Sequence, residues 1–145
     1  MFDLSYGLML SQITSTLIMV GVIWMVQCVH YPAFAYMDRD RFPAFHRLHM
    51  ERISWIVMPT MLVEFVGAVL LCIPRFSDDP VLWMALNMTL VVLIWLSTFL
   101  WSVPIHHQLS HKGFDEDAIV RLCNTNWPRT ILWSCKAMIL IYLFL

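Results

Sequence analysis

Four long apolar stretches divide this chain, and they leave few choices for its fold. They cover residues 7–31, 53–73, 81–103 and 127–145. Each is close to the roughly 20 residues that a helix needs to cross the hydrocarbon core of a bilayer. Charged residues make up only 13% of the chain, whereas a soluble domain averages about 25%. We therefore predict an all-α fold, an integral membrane four-helix bundle in which residues 1–145 form a single domain.

The distribution of basic residues predicts how this bundle is oriented. Four crossings in order place both termini and residues 74–80 on one side of the membrane, and residues 32–52 and 104–126 on the other. The second side carries these basic residues: Arg39, Arg41, Arg47, Arg52, Lys112, Arg121 and, at its border, Arg129. The first side carries Arg75. Because loops rich in Lys and Arg stay in the cytoplasm, we expect a bacterial inner-membrane protein with both termini in the periplasm.

Histidine is the residue type that most directly suggests a function. All the histidines fall at or just beyond the span ends on the cytoplasmic side: His30, His46, His49, His106, His107 and His111. Imidazole is a preferred ligand of iron, copper, zinc and nickel, and helical bundles build metal sites from side chains on facing helices. We predict a redox centre of one or two iron or copper ions, with haem b as the alternative cofactor. Histidines that are simply solvated or hydrogen-bonded near lipid head groups are the other interpretation.

The spacing of the histidines suggests which of them bind the metal. His46 and His49 lie three residues apart, and His107 and His111 lie four apart, so each pair shares one side of a helix. The two pairs can converge, and His30 at the end of the first span would add a fifth ligand. The side chain of His106 points about 100° away from that of His107 on the same helix, so we expect it to stay outside the site.

Ionisable and polar residues inside the spans form a second group. Glu64 and Lys136 lie at similar depth in the second and fourth spans, where they can pair or only fix helix register. As catalytic residues, Glu64 would be a carboxylate ligand of the metal or a proton acceptor, and Lys136 would line the pocket. Arg129 and Trp133 are spaced to share a helix face with Lys136. We expect Arg129 to bind an anionic group, and Trp133 and Gln27 to contact the cofactor or line the pocket.

The segments between the spans are predicted to contain short helices. Apolar positions recur at three- and four-residue steps from Phe42 to His49, which is typical of an amphipathic helix lying at the membrane interface. In the second cytoplasmic segment, Gly113 is expected to break the chain and Asp115 to begin a helix. We expect that helix to end at residues 124–126, before the last span.

Two patches resemble a family of small four-helix membrane proteins. The sequence VPIHHQL at residues 103–109 and the sequence NWPRT at residues 126–130 resemble the V-P-x-N-x-x-L and N-x-x-R-T patches of proteins related to anthrone oxygenases. Histidines stand where that family often has asparagine. The resemblance implies an oxygen-using membrane enzyme that acts on a hydrophobic substrate.

A second stretch resembles the membrane-bound, haem-binding protoporphyrinogen oxidases. The sequence MERI at residues 50–53, the sequence PTM at residues 59–61 and the Tyr31-Pro32 turn are similar to features of those enzymes. They carry a histidine early in the first span and a lysine in the third, whereas this chain has Gln12 and Asn87 there. We therefore carry over no activity from this resemblance.

These observations together predict a membrane metalloprotein that oxidises a hydrophobic, membrane-dissolved small molecule at the cytoplasmic end of the bundle. The alternatives are a haem-binding module for binding or electron transfer, and a non-catalytic subunit of a larger membrane complex. The expected partners are the lipid bilayer and the small molecule. A homo-oligomer is compatible with the apolar helix faces, and we expect no nucleic-acid partner.

Overall fold

Four long helices make up the computed structural model, which describes residues 4–73 and 81–144. They are α1 (Leu4–Phe34), α2 (Phe42–Leu71), α3 (Val81–Lys112) and α4 (Glu116–Phe144). No strand occurs in the described ranges. Helix α1 packs against α2 and α4, and α3 packs against the same two helices, so the four surround a common interior. The all-α fold predicted from the sequence is confirmed.

Two of the helices contain a short π-helical segment just before a proline. In α1 the segment is Val26–His30 and Pro32 follows it, and in α3 the segment is Thr98–Ser102 and Pro104 follows it. Proline lacks an N–H, and its ring would clash with the carbonyl four residues earlier. That carbonyl lies within the π segment in both helices, where wider turns accommodate the ring.

The bundle is polar inside and apolar outside. Its interior holds buried polar side chains from every helix, among them Gln12, Glu64, Asn87 and Lys136. Its outer surface exposes many large apolar side chains, and Trp55 is 80% exposed. A soluble protein rarely shows such extensive apolar exposure. The three helices Leu4–Phe34, Phe42–Leu71 and Val81–Lys112 are long and apolar enough to cross a membrane.

Helix α4 falls outside that group of three, although the sequence predicts a crossing at residues 127–145. It carries Arg129 and Lys136 within its apolar part, and both side chains are buried in the bundle. Its outward side chains near the C-terminal end are nevertheless apolar, as at Ile131, Met138 and Ile141. The charges that reduce its hydropathy therefore face the other helices.

Both short helices predicted between the spans are continuous with longer helices. Residues 42–52 are the first three turns of α2 and do not form a separate interfacial helix, because Pro43 lies in the first turn, where proline is tolerated. Phe42 is buried there, but Leu48 is exposed. Likewise α4 runs through residues 124–126 without ending, since the Asn126 amide bonds to side chains of the interior.

The predicted break at Gly113 and the helix start after it are confirmed. Gly113 ends α3 with φ of 77°, a conformation that favours glycine. Asp115 then caps α4, accepting a hydrogen bond from the backbone N–H of Ala118 at 3.0 Å. That bond and a second one from the Gln108 amide lower the pKa of the Asp115 carboxyl. The carboxylate is therefore the favoured form at this helix N-terminus.

Gly67 provides a test of the close packing of α1 on α2. A Cβ atom at this position would lie 3.2 Å from Gln12 Cδ and nearer still to its amide nitrogen, which donates to the Glu64 carbonyl at 3.0 Å. We expect Gly67→Ala to lower the free energy of unfolding in detergent by about 1–3 kcal/mol, as overpacking does. Gly21→Ala is the matched control, because nothing lies within 4 Å of its Cβ position. Equal stability of the two variants would contradict this packing.

Candidate binding cavity

A cavity of about 300 Å³ opens in the half of the bundle that contains the histidines. Most of its wall is apolar and is formed by side chains such as Met19, Ile23 and Val57. The polar residues of its wall come from all four helices and are Tyr31, Ser54, Thr98, Ser102, His106, His107, Ser110 and Arg129. The two π segments both contribute to the wall, through Val26 in α1 and through Thr98 and Ser102 in α3. Such segments are frequent at functional sites.

Arg129 is the buried charge at this cavity. Its side chain is 5% exposed, and Nη1 donates to Ser102 Oγ at 2.7 Å and to Asn126 Oδ1 at 3.1 Å. The guanidinium lies 5.3 Å from the ring centre of Trp133, an arrangement that favours a cation. Within residues 4–73 and 81–144, no carboxylate pairs with it, and its Nε atom has no hydrogen-bond partner.

A row of side-chain amides and hydroxyls supports Arg129 from behind. The Asn126 amide donates to Gln27 Oε1 at 3.0 Å, and the Gln27 amide donates to the Cys123 carbonyl at 3.1 Å. Thr130 Oγ1 lies 3.5 Å from the same Gln27 oxygen. Gln27 and Trp133, predicted to line a pocket or contact a cofactor, do not line this cavity. Gln27 bonds to Asn126, which in turn bonds to Arg129, and the Trp133 ring packs against the guanidinium. Both residues therefore hold Arg129 in position.

His106 stands at the centre of the histidine group, contrary to the expectation that it would lie outside. Its Nδ1 is 3.0 Å from His46 Nε2, and its Nε2 is 3.0 Å from the Tyr31 hydroxyl. His106 is buried, whereas His107 is exposed. The spacing of His107 and His111 predicts that they share one side of α3, but it does not determine which side of the helix faces the bundle, and the π segment Thr98–Ser102 changes the phase of the residues after it.

The predicted metal ligands do not converge on one point. His30, His46 and His49 lie together, with the His30 and His49 rings 5.6 Å apart. His107 and His111 instead stack on each other at 4.0 Å and are exposed. No group of three or more His, Cys, Asp or Glu side chains in the described part of the chain could hold a metal ion. The metal or haem centre therefore stays a prediction from the sequence.

Glu64 and Lys136 form the buried ion pair that their matching depth suggested. Lys136 Nζ lies 2.8 Å from Glu64 Oε1, and both side chains are buried. Thr16 donates to Oε1 at 2.6 Å, and Trp133 Nε1 donates to Oε2 at 3.0 Å. The carboxylate thus accepts three hydrogen bonds and lies outside the lining of the cavity. Trp133 connects the two regions, because it contacts both Glu64 and Arg129.

Sequence analysis did not single out Tyr31, Ser102 or Asn126 as site residues. The helical spacing of two of them could have indicated a place in the site. Tyr31 lies four residues after Gln27, and Asn126 lies three before Arg129, so each shares a helix face with a polar residue already noted. Ser102 lies four residues before His106, but His106 was expected to lie outside the site, so this spacing did not indicate Ser102.

Comparisons with known proteins add no relative. No protein-family model, curated protein or solved structure matches the chain. The resemblances to anthrone oxygenase relatives and to protoporphyrinogen oxidases therefore remain predictions from short sequence patches. What the site does must be argued from its own geometry.

The Glu64–Lys136 pair yields a stability test. Glu64→Gln and Lys136→Met should each destabilise the protein in detergent by about 3–5 kcal/mol, because each leaves the other charge buried without its partner. The double variant should recover part of that loss, which thermal unfolding of the four proteins measures as a coupling energy. Strictly additive losses would show that the two side chains do not interact.

Proposed function

We propose that this protein is a four-crossing membrane protein that binds a small, mostly apolar molecule carrying one anionic or hydrogen-bond-accepting oxygen group. The buried, unpaired charge of Arg129 at the cavity is the observation that carries this proposal. Ser102, Asn126 and Trp133 hold the guanidinium in place, but none of them neutralises it. A ligand oxygen would do so.

The burial of Arg129 carries an energetic cost. A charge inside an apolar bundle is expensive unless it meets an opposite charge or enough hydrogen-bonding groups. Glu64 neutralises Lys136. Arg129 contacts neutral polar groups, and its Nε atom has no hydrogen-bond partner among the described residues. Guanidinium binds carboxylate-like groups through two parallel hydrogen bonds. We therefore assign Arg129 to the oxygen group of the ligand, with the Tyr31 hydroxyl and His106 beside it.

The shape of the cavity supports an apolar body for the ligand. Its volume of about 300 Å³ lies at the lower end of the range for small-molecule sites, which are typically apolar with a few directing polar groups. Met58 and Val103 line the cavity and are also exposed on the outer surface between α2 and α3. A molecule dissolved in the bilayer would enter between these two helices.

The membrane setting of this proposal rests on the distribution of polar and apolar side chains. Helix α4 supplies both Arg129 and Lys136 to the interior and presents apolar side chains outward, so we propose that it crosses the bilayer with the other three. The basic residues of the two longer connecting segments favour a cytoplasmic position for the histidine end. The proposal requires no metal, since all four ring nitrogens of His46 and His106 already have hydrogen-bond partners.

Ligand binding tests the role of Arg129. We expect 2-naphthoate to bind the protein in lipid nanodiscs, and Arg129→Gln to weaken that binding by roughly 10- to 150-fold. Those factors correspond to about 1.5–3 kcal/mol for hydrogen bonds to a charged group. Neutral 2-naphthalenemethanol should bind both proteins within about threefold. Calorimetric titration, corrected with empty nanodiscs, measures these affinities.

Two further variants make the binding test specific. Arg121→Gln removes an exposed arginine of the same helix and should leave naphthoate binding unchanged. Arg129→Lys keeps the charge but loses the planar fork, so it should bind naphthoate with intermediate affinity. Equal weakening of the acid and the alcohol by Arg129→Gln would contradict the assignment of Arg129 to the oxygen group.

Cysteine labelling tests the proposed orientation. In a cysteine-free background, a cysteine introduced at Lys112 should be protected from an impermeant reagent in intact cells, and one at Asp78 should be labelled. The expected difference follows from the positive charge of the segments on the Lys112 side. Labelling at Lys112 with protection at Asp78 would show the opposite orientation.

A further inference from the structure

An unbroken row of hydrogen-bonding side chains joins the cavity to the exposed end of the bundle. It begins at the buried Tyr31 hydroxyl, which is 3.0 Å from His106 Nε2. His106 Nδ1 is 3.0 Å from His46 Nε2, and His46 Nδ1 is 3.4 Å from Ser110 Oγ. Tyr31, His46 and His106 are buried, whereas Ser110 is exposed. Ser110 also lines the cavity, so the row runs from the buried Tyr31 hydroxyl to an exposed part of the cavity wall and uses both nitrogens of each imidazole.

The chemistry of imidazole gives this row a consistent direction in either of two orders. A neutral imidazole has one N–H donor and one acceptor nitrogen. In the first order, Tyr31 donates to His106, His106 donates to His46, and His46 donates to Ser110. In the second order every donor and acceptor is exchanged, and Ser110 donates inward. No atom of the row lacks a partner in either order. The two orders interconvert when one proton moves along each bond while one proton enters at one end of the row and another leaves at the other end.

We propose that Ser110, His46, His106 and Tyr31 relay protons between the exposed end of the bundle and the molecule bound in the cavity. The inference rests on the proposed binding function for its ligand, but the row itself is defined by the protein alone. It narrows the ligand class to an oxygen acid, such as a carboxylic acid, phenol or enol, whose oxygen gains or loses a proton while bound.

Starting from the second order, one proton passes along each hydrogen bond of the row. Tyr31 gives its O–H proton to the ligand oxygen and takes one from His106 Nε2. His106 Nδ1 takes the Nε2 proton of His46, and His46 Nδ1 takes the Ser110 hydroxyl proton. Ser110 takes a proton from solvent. One proton enters, one reaches the ligand, and the row is left in the first order; rotation of the hydroxyls and exchange of the ring tautomers restore the second order.

Charged and titratable groups around the row suit this role. Arg129 and Tyr31 both line the cavity, and the guanidinium would stabilise an oxygen anion formed at that end. The His49 ring stacks on that of His106 at 6.2 Å, and His30 lies beyond it at 5.6 Å from His49. No carboxylate pairs with His46 or His106 within the described ranges. A proton arriving on either ring therefore meets no fixed acidic group that would retain it.

Exchange of the Tyr31 hydroxyl proton with solvent tests the relay without any ligand. Protein labelled with ¹³C at tyrosine Cζ is placed in equal volumes of H₂O and D₂O, where a slowly exchanging hydroxyl gives separate signals for its two isotopes. Tyr31→Phe identifies the Tyr31 signal. We expect His46→Gln to slow the exchange at least tenfold. The glutamine amide can hydrogen-bond to His106, but it cannot take up a proton on one side and release another on the other side, as an imidazole does. His111→Gln, at an exposed histidine of α3 outside the row, should leave the rate unchanged.

The outcomes separate the relay from the binding site. An exchange rate in His46→Gln equal to that in His111→Gln would show that solvent reaches Tyr31 through the cavity, and it would overturn the relay. If His46→Gln does not fold, His106→Gln interrupts the same row one step closer to Tyr31 and carries the same expectation. Naphthoate binding tests the cavity separately, so a failure of either measurement leaves the other interpretable.

Discussion

The burial of two cations on one face of α4 is the constraint on which the rest of the interior depends. Arg129 and Lys136 lie two helical turns apart and both point into the bundle. Lys136 is neutralised by Glu64, whose carboxylate also accepts bonds from α1 and α4. Among the described residues, Arg129 is held by neutral groups and an aromatic face. The interior therefore holds one cation that a carboxylate neutralises and, at the cavity, a second cation that no described carboxylate neutralises.

Polar contacts join the helices of the bundle to one another. In membrane proteins, packing and interhelical hydrogen bonds replace the hydrophobic driving force. Gln12 connects α1 to the α2 backbone and to α3, Gln27 connects α1 to α4, and Ser102 connects α3 to α4. These bonds fix the rotation of each helix about its axis. The same rotations decide which side chains reach the cavity.

Pro32 and Pro104, at the histidine end, have a functional consequence through the backbone. The π segments that accommodate Pro32 and Pro104 widen α1 and α3 beside the cavity. His106 lies in the first turn after the α3 segment and contacts both Tyr31 and His46. The proposed relay and the proposed ligand site therefore lie beside the same local departure from regular helix geometry. The relay uses imidazole as a hydrogen-bonding group, through His46, which the sequence predicts as a metal ligand, and through His106, which was expected to lie outside the metal site.

Sequence alone determined the class of fold, the depth of the polar residues and the side of the bundle on which the histidines gather. Those properties follow from the length and spacing of apolar stretches, which act locally along the chain. The pairing of Glu64 with Lys136 could be predicted from the sequence, because depth along a helix grows by a constant 1.5 Å per residue. Arg129 was expected to point into the interior because it shares a helix face with Trp133 and Lys136.

Only the tertiary structure decided which side chains meet. The choice of His106 over His107 depends on the phase of α3, which a single π segment changes, and no local pattern encodes that shift. The separation of His107 and His111 from the other histidines, and the absence of an acidic partner for Arg129 in the described residues, depend on how four helices rotate against one another. The continuity of α2 and α4 has the same origin, because packing of Phe42 and the interior hydrogen bonds of Asn126 outweigh local signals to end a helix.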